Sequence, residues 1–315
     1  MVVMLAFVVT SCEMFDLEKQ DSPNAVTPNN AGVDFLYNNV QLSFNSFYRA
    51  SQGSGAALAR QRVFSSPLYQ TGYQATAFDG RWTTAYAGLL PDMAAMEALA
   101  EAQGLQNYIA CSKIMRSYVL TTLVDMFGDV PLTEANQGTD FISPNSTPGD
   151  QVYAAAETLL DEALTILGTP ESPDAAFPQL DLYFDGDHGD WVALANTFKL
   201  RIALNTRLVD AGAGAKIAAL ASQPLVGSGG SDFEFQYGNQ RTNPGNRHPD
   251  YNNMYEVNDG AYMNNWYMYM LMQESKEDIN WNTNAVVLSN GDVSRSDDDP
   301  RIRWYFYRKD PNLSN

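Results

Sequence analysis

Along residues 33–47 the apolar positions are Phe35, Leu36, Val40, Leu42, Phe44 and Phe47, following Pro28 and Gly32, and they predict a first helix. Across residues 79–102, Trp82, Tyr86, Leu89, Leu90, Met93, Met96 and Ala100 recur at spacings of three and four. That period lines one face of an amphipathic helix, and Gly104 marks its end. Residues 105–127 repeat it with Tyr108, Cys111, Met115, Tyr118, Val119, Thr122 and Met126, stopping at Gly128, a natural left-handed cap. The two segments are expected to form a helix hairpin.

A third helix is expected after Thr147-Pro148-Gly149-Asp150, with Thr147 as cap and Pro148 in the first helical position. Its stripe of Val152, Tyr153, Ala156, Leu159, Leu160, Ala163, Leu164 and Leu167 is the cleanest in the chain. A fourth spans residues 190–209, with Trp191, Leu194, Ala195, Phe198, Ile202 and Leu208 and further apolar residues on its other sides, so it is expected to be buried nearly all round. A short helix follows over residues 214–222, ending before Pro224. Stacked helix pairs of this length are the arrangement of tetratricopeptide-type solenoids. Beyond Pro224 the text turns to Gly, Asn, Asp and aromatic residues, predicting loops and short strands with a helix over residues 264–276. The fold class expected is therefore mostly α: a tetratricopeptide-like helix-pair solenoid with irregular, loop-rich insertions.

Composition supports a folded chain. With 315 residues, 45% apolar and 18% charged, it buries a sizeable core as one large domain or two. The 37 acidic residues outnumber the 19 basic ones, and the resulting charge of −18 repels phosphate backbones, which argues against nucleic acid as a partner. Aromatics reach 12%, enough to supply a stacking surface besides the core.

The first twelve residues, MVVMLAFVVTSC, form an apolar run that leads through Val9, Thr10 and Ser11 to Cys12. This resembles a lipobox, the processing signal of bacterial lipoproteins, with the peptide before Cys12 removed and the thiol acylated. Each buried methylene of an acyl chain contributes about 0.8 kcal/mol to anchoring. The run is far short of the ~20 residues a spanning helix needs. It also lacks the basic start of a signal peptide, since no Lys or Arg precedes Lys19. Either the start is misplaced or the true N-terminus is missing. Residues 13–30, with Glu13, Asp16, Glu18 and Asp21 among Pro and Asn, read as a solvated tether. With Cys12 acylated, Cys111 has no disulfide partner and is read as a small buried hydrophobe.

Four segments, in order, resemble the SusD/RagB family of nutrient-binding lipoproteins. They are Trp82 with Tyr86; the run from Asp125 through Phe127, Gly128, Asp129, Val130 and Pro131 to Glu134; Tyr183-Phe184-Asp185-Gly186-Asp187 leading into Trp191, Ala195-Asn196 and Lys199-Leu200-Arg201; and Asp299-Pro300-Arg301. The second is the most specific. Gly128 ends a helix with a positive φ and Pro131 sends the chain off extended, so this segment is read as a fold marker and not an active site.

The resemblance implies an α-helical domain over residues 31–315, lipid-anchored at the outer membrane and facing the cell surface. It implies a partner, a SusC-like TonB-dependent transporter, and a ligand, an oligosaccharide or a peptide or other nutrient. It implies no enzymatic activity and no cofactor. Family members continue well beyond the Asp-Pro-Arg segment, so the C-terminal part of the domain is expected to be absent from this sequence.

Glycan recognition uses flat aromatic faces with amide and guanidinium groups for hydroxyls. One stretch with this mix is Tyr69, Tyr73 and Phe78. The other runs from Gln240, Arg241, Asn243, Asn246 and Arg247 through Tyr251, Asn252 and Tyr255 to Asn265, Trp266, Tyr267 and Tyr269. The ligand-binding candidates are Tyr73, Phe78, Arg241, Asn243, Tyr255, Trp266 and Tyr269, whereas Trp82 opens a helix stripe and is read as core.

Two histidines, His188 and His248, with no second His or Cys at ligand spacing, argue against a zinc site or a His-based triad, and no metal is expected. The acidic loop of Asp181, Asp185, Asp187 and Asp190 is better read as a turn with Asp190 as helix cap than as a calcium loop, because it lacks the terminal Glu of an EF-hand. Gly227, Gly229 and Gly230 lack the following Lys and Ser/Thr of a phosphate loop. Two other readings remain open: a tetratricopeptide-like adaptor that binds proteins, and a glycoside hydrolase whose carboxylate pair geometry alone would reveal.

Overall fold

The computed structural model describes residues 32–63, 73–169, 177–227, 232–257, 264–271, 279–280 and 285–286. The readings at Cys12, the tether, Tyr69 and the Asp299-Pro300-Arg301 segment lie outside them.

Helix α1, Val33–Leu58, runs eleven residues past the predicted end. It buries Leu36, Tyr37, Val40, Phe44 and Phe47 on one stripe, while Phe35 and Leu42, expected to share it, are 56% and 50% exposed. They fall off the 3.6-residue period that the others keep. The stripe continues beyond Phe47 through small polar residues, Ser51 and Ser54, which is why hydrophobicity alone ended the helix early.

The predicted second helix forms as α2, Asp79–Thr84, a π turn over Ala85–Leu89, and α3, Leu90–Gln103. Pro91 stands just after the π turn. Proline lacks an N–H and its ring crowds the carbonyl one turn back, and the wider turn absorbs both faults without breaking the helix. Gly104 closes α3 at φ 73°, and α4, Gln106–Phe127, returns alongside it as the expected hairpin.

Helix α4 is buried nearly all round and packs against α3 and α5, Gly149–Leu167. After Gly128 at φ 79°, Val130 and Thr147 form an antiparallel bridge, with N···O distances of 3.2 and 2.9 Å. The bridge draws the start of α5 back to the end of α4. Pro148 stands at the N-cap and not in the first helical position, so Thr147 lies one residue too early to cap α5. The Asp129 carboxylate serves that end, accepting the Gly149 N–H at 2.9 Å. Gly149 is needed because a Cβ there would sit 2.9 Å from Val124.

The short helix α6, Phe177–Leu180, drives Phe177 against Tyr37 and Tyr108, with ring centroids 5.7 and 5.2 Å apart. Helix α7, His188–Thr206, is capped by Asp187, whose carboxylate accepts the Asp190 N–H at 2.9 Å. Asp190 is thus the capped residue and not the cap. The helix ends before Leu208, which is 86% exposed, and Leu204 is 42% exposed, so α7 is buried over most of its surface but not around its last turn. Helix α8, Ala213–Leu220, packs back on α7. Cys111 is fully buried, as expected, and burial pushes its thiol well above the ordinary range.

Past α8 the chain is extended over residues 232–238, with Phe233, Phe235 and Tyr237 facing in and the residues between them exposed. Phe233 stacks on Tyr183 at 4.5 Å. A three-residue helix α9, Pro249–Tyr251, passes into a π turn, Asn252–Glu256, and α10 spans Asn265–Leu271. Strands β1, Ile279–Asn280, and β2, Ala285–Val286, pair antiparallel. The described residues are mostly helical; α3–α4 and α7–α8 pair across short connections, and α4 and α5 pair across the longer segment of residues 128–148.

Candidate ligand-binding site

Tyr73 and Phe78 fall in one aromatic cluster and Arg241, Asn243 and Tyr255 beside a second, and both are attached to α1. In the first, a 3-10 turn over Ala75–Phe78 leads into α2. The rings of Tyr73 and Phe78 lie 5.7 Å apart, both half-buried. Phe78 meets Phe127 edge-on at 6.4 Å, Phe127 meets Trp82 edge-on at 5.2 Å, and Trp82 lies 4.7 Å from Tyr86. The Tyr86 hydroxyl donates to the Pro131 carbonyl at 2.7 Å, and burial pushes its pKa well up. A continuous aromatic ladder therefore runs from the Tyr73 loop to the turn after Gly128. Trp82 packs against the core, as expected, yet keeps one side half-open.

Arg81 fastens this cluster to α1. Its guanidinium lies 5.0 Å from the Phe78 ring centroid, donates to the Ala50 carbonyl at 2.8 Å and reaches the Ser54 hydroxyl. Partial burial lowers its pKa, which leaves an arginine charged at any physiological pH.

The second cluster is a closed loop. Gly238 N–H donates to the Asn246 carbonyl at 2.8 Å and Gln240 N–H to the Asn246 side chain at 2.8 Å. Asn243, ahead of a cis Pro244, is exposed near its tip. Glu256 holds two arginines, Arg241 at 3.2 Å and Arg247 at 2.6 Å, and the Arg247 contact lowers the Glu256 pKa. Arg247 lies 5.2 Å from the Tyr251 ring centroid, and Tyr251 and Tyr255 lie 4.8 Å apart. Tyr255 is 75% exposed and Arg241 is exposed beside it. The Asn45 amide donates to the Tyr237 hydroxyl at 2.6 Å and Arg49 meets Asp250 at 3.5 Å, which tie this loop to α1.

Asn45 and Ser54 are nine residues apart, so successive 100° steps place them on opposite sides of α1. The two clusters accordingly flank the same helix. Trp266, on α10, is partly exposed, and Asn264 beside it donates to the Arg62 carbonyl at 3.2 Å, just past the end of α1. The side chain of Tyr269 lies outside the described residues.

Sequence reading named the loops but missed their supports. Arg81, Phe127 and Glu256 each hold a candidate residue in place. The four-residue steps from Phe78 to Trp82 to Tyr86 were the signal for the ladder; the contribution of Phe127 comes from another helix and had none. The acidic loop proves structural: the Asp181 carboxylate accepts from Tyr183 N–H at 3.1 Å, Gly186 N–H at 2.9 Å and the Trp191 indole at 2.7 Å. Among the described residues no three His, Cys, Asp or Glu side chains come together as metal ligands.

The helical architecture recurs in solved structures. A SusD/RagB family protein from Bacteroides thetaiotaomicron aligns with a TM-score of 0.56 at 16% identity, over 79% of this chain and 53% of its own. A SusD homologue from Bacteroides fragilis gives 0.55 at 21%, over 76% and 50%. A chitin-binding SusD homologue from Flavobacterium johnsoniae gives 0.57 at 19%, over 76% and 50%. The chain spans about half the length of these solved relatives. No curated protein matches it. Residues 23–312 match the SusD-like family described as starch-binding and associating with the outer membrane, and the chain belongs to that family.

Proposed function

We propose that this protein binds a glycan at the outer membrane and works with a SusC-like TonB-dependent transporter. The observation that carries the reading is the exposed aromatic pairing of Tyr251 and Tyr255 beside Arg241 and Asn243, matched across α1 by Tyr73 and Phe78. Sugar rings present C–H faces that stack on aromatics and hydroxyls that pair with amide and guanidinium groups. Trp266, partly exposed on α10, is counted with the same set, and Tyr269 is carried with it on residue type alone. The family description and the chitin-binding relative favour a glycan over a peptide.

These groups stack and hydrogen-bond; none is assigned a proton-transfer role, so the protein is read as a binder and not an enzyme. In this reading residues 1–12 are the lipoprotein signal with Cys12 acylated, residues 13–30 are the tether, and residues 31–315 belong to the binding domain. No described helix is long and apolar enough to cross a membrane.

Affinity electrophoresis in gels containing starch or soluble chitin derivatives tests the glycan. Retardation by one of them, lost in Phe78→Ala or Tyr255→Ala with the fold intact, supports the reading; migration unaffected by any glycan removes it. Cys12→Ala should release the protein from membranes, and the native protein should co-purify with a transporter.

A further inference from the structure

The reading above leaves a large cleft between the helix pairs unused. A cleft of about 870 Å³ opens between the end of α4, the first turns of α5, the end of α7 and the start of α8. That is the size of an ordinary ligand pocket. It is lined by five carboxylates, Asp125, Asp129, Asp150, Glu157 and Asp210, against two cations, Arg207 and Lys216.

Both cations are engaged within the protein. Lys216 Nζ lies 3.2 Å from Asp210 and 3.6 Å from Glu157, and Arg207 donates to the Leu204 carbonyl at 2.6 Å. Asp125 accepts from the Tyr153 hydroxyl and meets Arg201 at 3.3 Å, and Asp129 holds the Gly149 N–H. Asp150 has no side-chain partner among the described residues. The site as a whole therefore keeps a negative excess.

Besides Asn205 and Thr206, the remaining wall is largely apolar. Val124, Pro148, Ile202 and Val209 line it, and Val209 and Leu208 beside it are 87% and 86% exposed. Aliphatic side chains so bare, in the turn between two packed helices, are unpartnered apolar surface. An occupant must therefore supply positive charge and aliphatic surface together. A lysine or arginine carries both, a charged head on an apolar stem. Tyr153 is the one aromatic residue of the lining, so the cleft offers a sugar little stacking surface. Anionic ligands are repelled.

We propose that this cleft is a second binding site, separate from the aromatic loops, that takes an extended segment of a partner protein bearing Lys or Arg beside aliphatic residues. Stacked helix pairs offer this kind of groove between neighbouring units. The acidic side attracts the segment and the Val209 side gives it register, so binding weakens with salt but requires more than charge.

The test is a fluorescence-anisotropy titration of the intact chain with a labelled hexapeptide of alternating lysine and leucine. Peptides alternating lysine with serine, and glutamate with leucine, serve as comparisons. Saturable one-site binding is expected for lysine–leucine alone, weakened about tenfold by Asp150→Lys. Ala154→Trp, an exposed position that narrows the cleft, should weaken it similarly while preserving the fold. Asp140→Lys, which changes the net charge equally at an exposed position outside the cleft lining, should leave it unchanged. Equal weakening by Asp140→Lys, equal binding of lysine–serine, indifference to Ala154→Trp, or no saturable binding overturns the proposal.

Discussion

The carboxylate of Asp181 accepts the indole N–H of Trp191 at 2.7 Å, inside a core where Asp181 is 3% exposed and Trp191 fully buried. The same carboxylate takes the backbone N–H groups of Tyr183 and Gly186, so one side chain folds the loop before α7 and orients the largest residue of that helix. Asp181→Asn keeps the volume but turns an NH2 group toward donors. It should cost about 3 kcal/mol in chemical denaturation, with a change in tryptophan fluorescence of the folded state.

Gly186 closes that loop at φ 80°, where an added Cβ would lie 2.7 Å from the Pro178 Cα. Gly104 has a similar φ of 73° but nothing within 4 Å of the same position. Gly104→Ala should therefore cost about 1 kcal/mol, the conformational penalty alone, and Gly186→Ala clearly more. Denaturation midpoints of the two variants separate backbone strain from steric exclusion.

Burial, with a hydrogen bond to Asp125, raises the Tyr153 pKa to about 12. An unfolded tyrosine ionises near about 10. The folded chain holds its proton longer, so the stability this group contributes is full below pH 10 and is lost as pH rises from there through 12. Tyr86 and Tyr183 are raised by burial in the same direction. Tyr153→Phe should unfold less steeply with pH across that window. Urea midpoints measured from pH 9 upward check it; identical slopes in both proteins contradict it.

What the sequence displayed was what periodicity encodes. The α3–α4 hairpin, α5 and most of α7 were legible because their stripes recur every three or four residues and Gly104 and Gly128 punctuate them. The second half of α1 was not, because it buries serines, and the end of α7 was overrun because Leu208 and Val209 continue the apolar text outside the helix. Thr147 looks like a cap, but the helix starts one residue later with Pro148 at its N-cap, and the backbone of Thr147 pairs with Val130, seventeen residues away, which local sequence does not reveal. The alternation of Phe233, Phe235 and Tyr237 was a period-two signal left unread. At the candidate site, residue types singled out the two loops, but their attachment to α1 depends on Arg81, Arg49 and Asn45, which nothing in their neighbours marks.

The central claim is that the two aromatic clusters flanking α1 form a glycan-binding surface. It is met most directly by isothermal titration of the chain with starch- and chitin-derived oligosaccharides, repeated with Tyr73→Ala, Phe78→Ala and Tyr255→Ala. The account predicts saturable heat with at least one oligosaccharide, and a loss of about 1–3 kcal/mol of binding free energy on removing a stacking ring, with thermal stability little changed. Binding that survives all three substitutions would contradict it.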